Sequence, residues 1–363
     1  MRGRRTMPAV AGVVLGAAAV LGLIAWQAPT LPPQEPLPSA GAPFAAPGEP
    51  PTSVPLPGRE LHVTAAGDYS ARPAAAAVLA RIGAIKPDLH FALGDLSYGV
   101  HGSEQSWCDL VTSNTGTSLP FELVSGNHES NGLNGNIDDF AACLPNRLPG
   151  LVGTYGRQYY ADVPLQEPLA RFIMVSPGIP FADGTWDYTP GSPNYEWTAA
   201  AIDDARTAGI PWVVVGMHTP CLSMGVYDCP AGTAITTMML TKKVDLVLNA
   251  HEHLYQRSKQ LSVGAGCPGI QPGIFSAACV NDGDNTLEKG SGTVFATVGT
   301  GGTDLRDINT GDPEAAYFAS YSGRNASPSH GLLDLRLTET SLTARFIATS
   351  GAFQDQFQIG SGN

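Results

Sequence analysis

Five short apolar runs, each stopping at a polar cluster rich in metal-binding side chains, constrain this chain more than any other feature. The runs are Leu61 to Ala66, Leu89 to Leu93, Phe121 to Val124, Trp212 to Val215 and Val244 to Leu248, each four to six residues long. Most lack strict alternation, the pattern of strands buried on both faces. Helical stretches lie between them, Pro73 to Ile85 and Tyr195 to Ala208 being the clearest. The first opens on proline, whose missing N–H has no partner in an initial helical turn anyway. The second stops at Gly209, shortly before Pro211. Strands alternating with helices predict an α/β domain. The tail from Gly331 to Ile359, with Leu333, Leu335 and Leu337 alternating, predicts closing antiparallel strands. No internal repeat is present.

The clusters that end the runs are Gly67-Asp68-Tyr69-Ser70, Gly94-Asp95-Leu96-Ser97-Tyr98, Gly126-Asn127-His128-Glu129, Gly216-Met217-His218 and Ala250-His251-Glu252-His253. Singly they are weak signals. Gly-Asp after a strand is ordinarily a turn, and a lone Asn-His is ordinarily a satisfied hydrogen-bonding pair. His251 and His253 carry more information, because period two on an extended segment puts both imidazoles on one side. Ligands of open α/β sheets bind outside the carboxyl ends of strands, so five such clusters at strand ends predict one shared metal site.

The order GD, GDxxY, GNHE, VxxH and HxH is similar to the signature of the purple acid phosphatases, a branch of the calcineurin-like metallophosphoesterases. This chain carries it as Asp68, GDLSY at 94 to 98, GNHE at 126 to 129, VGMH at 215 to 218 and AHEH at 250 to 253. The continuation HEHLYQRS, His251 to Ser258, also resembles that family, and the likeness runs from about Leu61 to His253. It implies layered sheets flanked by helices and two metal ions. Iron(III) would be held by Asp68, Tyr98 and His253; zinc, manganese or iron(II) would be held by Asn127, His218 and His251. Asp95 would bridge the two, and His128 would contact the phosphate and protonate the leaving oxygen.

Other calcineurin-like enzymes place a histidine two residues after the first aspartate, where this chain has Ser70, and Tyr98 would replace that lost ligand. The protein serine/threonine phosphatase branch needs an acidic and arginine-bearing segment where this chain reads Leu-Ser-Tyr-Gly. Ser70 and Ala250 both stand where the purple acid phosphatases usually have glycine. Ala250 fits provided its backbone has no positive φ.

The resemblance implies chemistry in which two cations clamp a phosphate and lower the pKa of a bridging water, giving a hydroxide nucleophile. The leading expectation is hydrolysis of phosphomonoesters, with a small phosphorylated substrate as partner. The alternative is phosphodiester cleavage on nucleotides or lipid headgroups, decided by the loops Gly99 to Leu119 and Thr219 to Pro230. A third is a surface binding protein without turnover. No P-loop, GxSxG or dinucleotide fingerprint competes. His62 and His90 lie within strand runs as core or edge residues, and His101 and His330 are expected away from the site mouth. Tyr255 and Arg257 either line the pocket or anchor the turn.

A formal charge of -12, from 32 acidic against 20 basic residues, repels polyphosphate backbones and argues against nucleic-acid binding as such. An anionic substrate then needs a local positive centre, which bound metal supplies. Arg2, Arg4 and Arg5 precede an uncharged run from Pro8 to Trp26, the order of an export signal. The run is long for a signal core and long enough to span a bilayer, so residues 1–26 are a cleaved signal or a retained anchor. Either places the catalytic domain, residues 59–363, outside the cytoplasm, secreted or membrane-anchored. No cysteine near position 26 offers a lipoprotein attachment. Residues 27–58, rich in proline and alanine, read as an extended tether or a propeptide. Six cysteines without a CxxC pair predict disulfides, with zinc ligation the weaker alternative. Short-loop closure favours Cys221 with Cys229 and Cys267 with Cys279, leaving Cys108 with Cys143.

Overall fold

The computed structural model describes residues 59–361, so the expected export segment, 1–26, and the tether, 27–58, lie outside the described residues. Among the described residues no helix is long and apolar enough to cross a membrane.

Two mixed sheets form the framework. Seven strands build the first, in spatial order β14 (Thr286–Glu288), β19 (Gln356–Gly360), β18 (Ser341–Ala348), β17 (Gly331–Leu337), β1 (Leu61–Ala66), β2 (Leu89–Ala92) and β3 (Phe121–Leu123). Eight build the second: β16 (Phe318–Ser322), β11 (Tyr255–Ser258), β15 (Val294–Val298), β10 (Leu246–Asn249), β9 (Trp212–Met217), β6 (Ala170–Val175), β5 (Gln158–Val163) and β4 (Val152–Thr154). Short ribbons pair β7 (Pro180–Phe181) with β8 (Gly184–Thr185) and β12 (Gln260–Leu261) with β13 (Val280–Asp282). The strands that carry the motifs run parallel within each sheet, β1 to β3 in one and β9 and β10, flanked by parallel β6 and β15, in the other. The expected tail strands are β17, β18 and β19, of which β17 pairs antiparallel with β1, β18 with β17 and β19 with β18.

Period two divides the second sheet between two cores. Phe172, Met174, Trp212, Val214, Leu246 and Leu248 share one cluster with Val63 and Phe91 of the first sheet, whereas Ile173, Val175, Val213, Val215 and Val247 share another with Ala201, Ile202, Ile235 and Met239. Both faces are therefore buried, and apolar residues stand at consecutive rather than alternate positions. The Phe91 and Phe172 ring centroids, 4.8 Å apart, join the sheets.

Helices α4 (Pro193–Thr207) and α5 (Thr233–Thr241) supply the residues of that second cluster. Helices α1 (Pro73–Ile85) and α2 (Glu104–Thr115) bury Val78, Leu79, Ile82, Trp107 and Val111 against the first sheet. The α1 bounds match the expectation, with Pro73 in its first turn and Lys86, at φ 56°, ending it. Helix α4 begins two residues earlier than expected, because Ser192 caps it by accepting from the Tyr195 N–H at 3.3 Å. The disulfides are the two that loop length favoured, Cys221–Cys229 and Cys267–Cys279, and the remaining pair Cys108–Cys143, which ties α2 to α3 (Ile137–Cys143).

Candidate metal centre

Parallel strands bring their carboxyl ends to one edge, and the loops that follow β1, β2, β3, β9 and β10 meet there. Backbone bonds stitch them: Asp68 N–H to Gly94 O at 3.1 Å, Tyr69 N–H to Asp95 O at 2.9 Å, and Ala250 N–H to His218 O at 2.9 Å. Nine non-glycine residues among those described have positive φ, and five of them, Asp68, Ser70, Asp95, Tyr98 and His251, lie in these loops. Strain of this kind persists only where surrounding structure enforces it, and it concentrates at functional sites. Ala250 is not among the five, so its methyl is tolerated, as the sequence required. A Cβ on Gly67 would lie 2.5 Å from that methyl, which explains the glycine before Asp68.

All seven predicted metal ligands converge, in two groups. In one, Tyr98 Oη lies 3.0 Å from Asp68 Oδ1, 3.1 Å from Asp95 Oδ2 and 3.0 Å from His253 Nε2. In the other, His218 Nε2 lies 3.3 Å from Asn127 Oδ1, 3.1 Å from His251 Nδ1 and 3.3 Å from Asp95 Oδ1. Asp95 thus gives one oxygen to each group. His128, the predicted proton donor, stands at their edge with Nε2 3.8 Å from Asp95 Oδ2 and its side chain 30% exposed.

These residues fit a pair of cations on three counts. Donors around one tetrahedral ion at about 2 Å stand roughly 3.3 Å apart, close to the observed spacings. Asp68 Oδ2 is buried with no hydrogen-bond partner, an oxygen that protein groups leave unsatisfied. The outer nitrogens of His218 and His253 donate to backbone carbonyls, Leu93 O at 2.7 Å and Asp304 O at 3.0 Å, which turns each Nε2 lone pair inward.

Electrostatics agree except at His218: burial lowers it, but the Asp95 carboxylate outweighs burial and raises it to about 9, so a cation there would have to displace its Nε2 proton. Burial drives the Asp68 carboxyl well above its usual range, and the Asp95 charge adds to the rise although His218 opposes it. Asp95 is also buried, but His218 and His128 outweigh that and hold it below the usual carboxylate range. Burial and then the His218 charge lower His251 to about 3, and burial and then Arg306 lower His253 to about 4. Both are therefore neutral imidazoles, as ligation needs. Burial, followed by the Asp68 and Asp95 charges, pushes the Tyr98 phenol far above its normal value, so only a strongly polarising ion would draw off its proton. Carboxylate and phenolate suit a hard trivalent cation, and imidazole with an amide oxygen suits a divalent one.

A second set of side chains holds the first. Glu129 is buried and accepts from the N–H groups of Asp95 at 2.9 Å, Leu96 at 3.1 Å and Gly126 at 2.5 Å. Glu252 accepts from Ser223 Oγ at 3.0 Å and the Tyr227 N–H at 2.7 Å, locking the loop that follows β9 onto the His251–His253 segment. Tyr227 stacks on the His251 ring at 4.1 Å, and Arg306 donates to the His251 carbonyl at 3.3 Å. Asn134 Oδ1 meets His128 Nδ1 at 2.7 Å, so the opposite nitrogen faces the opening. Replacing Glu129 by Ala leaves three N–H groups without their acceptor, and metal affinity should fall about 10–100-fold, the usual loss for a supporting residue. Metal titration of the variant measures this, and an affinity equal to wild type would show that the loops hold without Glu129.

The remaining predictions divide. Ser70 serves its own loop, reaching Gly302 O at 3.4 Å and accepting from the Arg72 N–H at 3.3 Å. His90 is buried against Thr64 and Tyr69, and His62 pairs with Asp334 on the adjacent strand. His101 stands with Glu104 at 3.2 Å, and His330 Nε2 meets Thr303 O at 2.9 Å. Tyr255 and Arg257 are buried and bond to Asp355, so they anchor rather than line the pocket. Glu129 and Glu252 were within the motifs but unrecognised, although a carboxylate between two candidate ligands is itself a signal. Tyr227 and Arg306 carry no sequence signal, because only the folded loops bring them to His251.

The profile of the calcineurin-like phosphoesterases matches residues 61–255. A purple acid phosphatase of Glycine max is 28% identical over 258 residues, which is 67% of this chain and 50% of that protein. Fe(3+)-Zn(2+) purple acid phosphatase 12 of Arabidopsis thaliana is 28% identical over 40% of this chain and 29% of its own length. The chain thus spans half or less of these two relatives. The purple acid phosphatase PPD1 of yellow lupin superposes with a TM-score of 0.60 at 18% identity, covering 84% of this chain and 54% of that one. The matched profile takes in every loop that supplies the two donor groups, and the chain belongs to the calcineurin-like phosphoesterases, where it resembles the purple acid phosphatase branch.

Proposed function

We propose that this protein hydrolyses phosphate monoesters outside the cytoplasm at a dinuclear metal centre. The observation that carries the proposal is Asp95, whose two oxygens face two separate donor groups. Asp68, Tyr98 and His253 would hold iron(III), and Asn127, His218 and His251 would hold zinc, manganese or iron(II). When bound, two such ions neutralise phosphate charge and supply a hydroxide nucleophile. The chain's own groups do the rest. The donor groups fix the position of the phosphate, and His128, aligned by Asn134 through Nδ1, carries at Nε2 the proton that the leaving alcohol takes up. Arg306, beside His251 and Glu252, adds a fixed positive charge at the mouth of an otherwise acidic protein. The three disulfides and the arginine-then-apolar start support an extracytoplasmic location.

The test is hydrolysis of a matched aryl phosphate monoester and diester by the chain loaded with iron plus zinc or manganese, before and after chelation. Monoester turnover that chelation abolishes and metal restores is the expected result. Preference for the diester would move the activity to phosphodiesters of nucleotides or lipid headgroups. A protein holding two metals per chain that cleaves neither ester would be a binding protein, and the proposal would fail.

A further inference from the structure

The loops that supply the metal centre also carry exposed apolar side chains. Among the described residues nine large hydrophobic side chains are exposed, and four of them, Val100, Leu133, Val226 and Tyr227, belong to loops that flank the centre. Val100 follows Tyr98 by two positions. Leu133 adjoins Asn134, whose amide donates to Gly99 O at 2.7 Å while its oxygen meets His128. These two residues make one bank, on the His128 side. Val226 and Tyr227 make a second, on the side of His251, against which Tyr227 stacks.

Scattered apolar side chains are ordinary on a protein surface, but Val226 sits on a loop that is fastened along its length. The Cys221–Cys229 disulfide closes the loop. Inside it, Ser223 N–H donates to Glu314 at 2.9 Å, Met224 N–H to Gln256 at 2.8 Å and Tyr227 N–H to Glu252 at 2.7 Å, while Asn309 N–H donates to Met224 O at 2.7 Å. These bonds hold the loop in place, and Val226 is 66% exposed one position before Tyr227, which stacks on His251. Val100 and Leu133 are more exposed still, at 73% and 71%. Aliphatic side chains in this position offer nothing to sugar or polyol hydroxyls, which would lose water without replacement. An apolar group placed there gains by leaving water.

We propose that the two banks bind the alcohol part of the substrate, and that this part is an apolar chain or ring rather than a sugar or polyol. The proposal rests on the phosphoesterase function above, and its test separates the two. Alkylphosphonates cannot be cleaved by ester hydrolysis, so their affinity for the metal-loaded full chain can be measured by calorimetry, from ethyl to n-octyl, with phenylphosphonate as the ring arm. The n-octyl compound should bind at least about tenfold more tightly than ethyl, a small part of what complete burial of the added methylenes would give. In parallel, kcat/KM should rise along the alkyl phosphates, whose leaving groups are matched in acidity. Val226→Ser combined with Leu133→Ser should reduce the octyl-to-ethyl ratio in both measurements. A higher ratio for phenyl than for octyl would assign the banks to a ring. Ethylphosphonate binding with no gain on lengthening overturns this proposal and leaves the phosphoesterase intact. A gain that survives the double substitution overturns the assignment to these banks, and failure of every phosphonate to bind and every ester to react overturns both.

Discussion

Asp95→Asn should lower phosphomonoester turnover by about a thousandfold or more, on the scale of losing a preorganised contact to transition-state charge. The variant keeps its fold for an identifiable reason. Asp95 uses its backbone to accept from the Tyr69 N–H and to donate to Glu129, and its Oδ1 accepts from the His128 N–H at 3.1 Å, which an amide oxygen can also do. What the amide cannot supply is a negative oxygen to each donor group. Metal content, measured by atomic spectroscopy after dialysis, should fall below two ions per chain. Saturating metal should also lose most of its stabilising effect, which for a site filled at a hundredfold excess over Kd is about 2.7 kcal/mol. A variant that keeps two ions and wild-type turnover would show that Asp95 does not bridge, and the proposed mechanism would fall with it.

The part of the fold legible beforehand is the part whose residues report on their own surroundings. Strands β1, β2, β3, β9 and β10 are buried on both faces, so each announced itself as an apolar run, and the ligands followed because each run ends at one. The structure lengthens β9 to Met217 and starts β10 at Leu246, within two residues of expectation. Strand β6 was invisible, although it pairs with β9 and is buried throughout. Its sequence holds Arg171, a charge that breaks the run. That charge is satisfied by a bidentate bond to Asp162 on β5, at 2.6 and 2.7 Å, and by stacking over Tyr160 at 4.0 Å. Nothing in a linear pattern shows that a partner nine residues upstream will lie opposite. Helix α5 escaped for a related reason: Thr233, Thr236, Thr237 and Thr241 give it poor helical propensity, and packing of Ile235, Met238 and Met239 overrides it. The same division holds at the metal centre. Its ligands lie in contiguous motifs, whereas Tyr227 and Arg306 reach His251 from loops about 80 residues apart along the chain, a juxtaposition only the fold creates.

The sequence left open whether Tyr255 and Arg257 line the pocket or anchor it, and their burial turns that question into a stability prediction. Asp355 receives Arg257 Nε at 2.7 Å, Arg257 Nη2 at 2.9 Å and the Tyr255 hydroxyl at 2.7 Å, while Nη2 also donates to Asn285 at 2.7 Å. Arg257 and Tyr255 belong to β11 of the second sheet, and Asp355 immediately precedes β19 of the first, so this network ties the sheets together. Asp355→Ala strands a guanidinium that is 1% exposed and should cost roughly 3–5 kcal/mol, read as a lower guanidinium chloride midpoint with metal present throughout. Removing both charges is a different matter, because it also removes their desolvation. The pair Arg257→Met with Asp355→Leu should recover much of the loss, the remainder reflecting the Tyr255 and Asn285 groups left without partners. If the single substitution instead costs less than about 1 kcal/mol, water reaches Arg257 and the network does not join the sheets. If the double substitution is no better than the single one, the hydrogen bonds to Tyr255 and Asn285, rather than the stranded charge, dominate the loss.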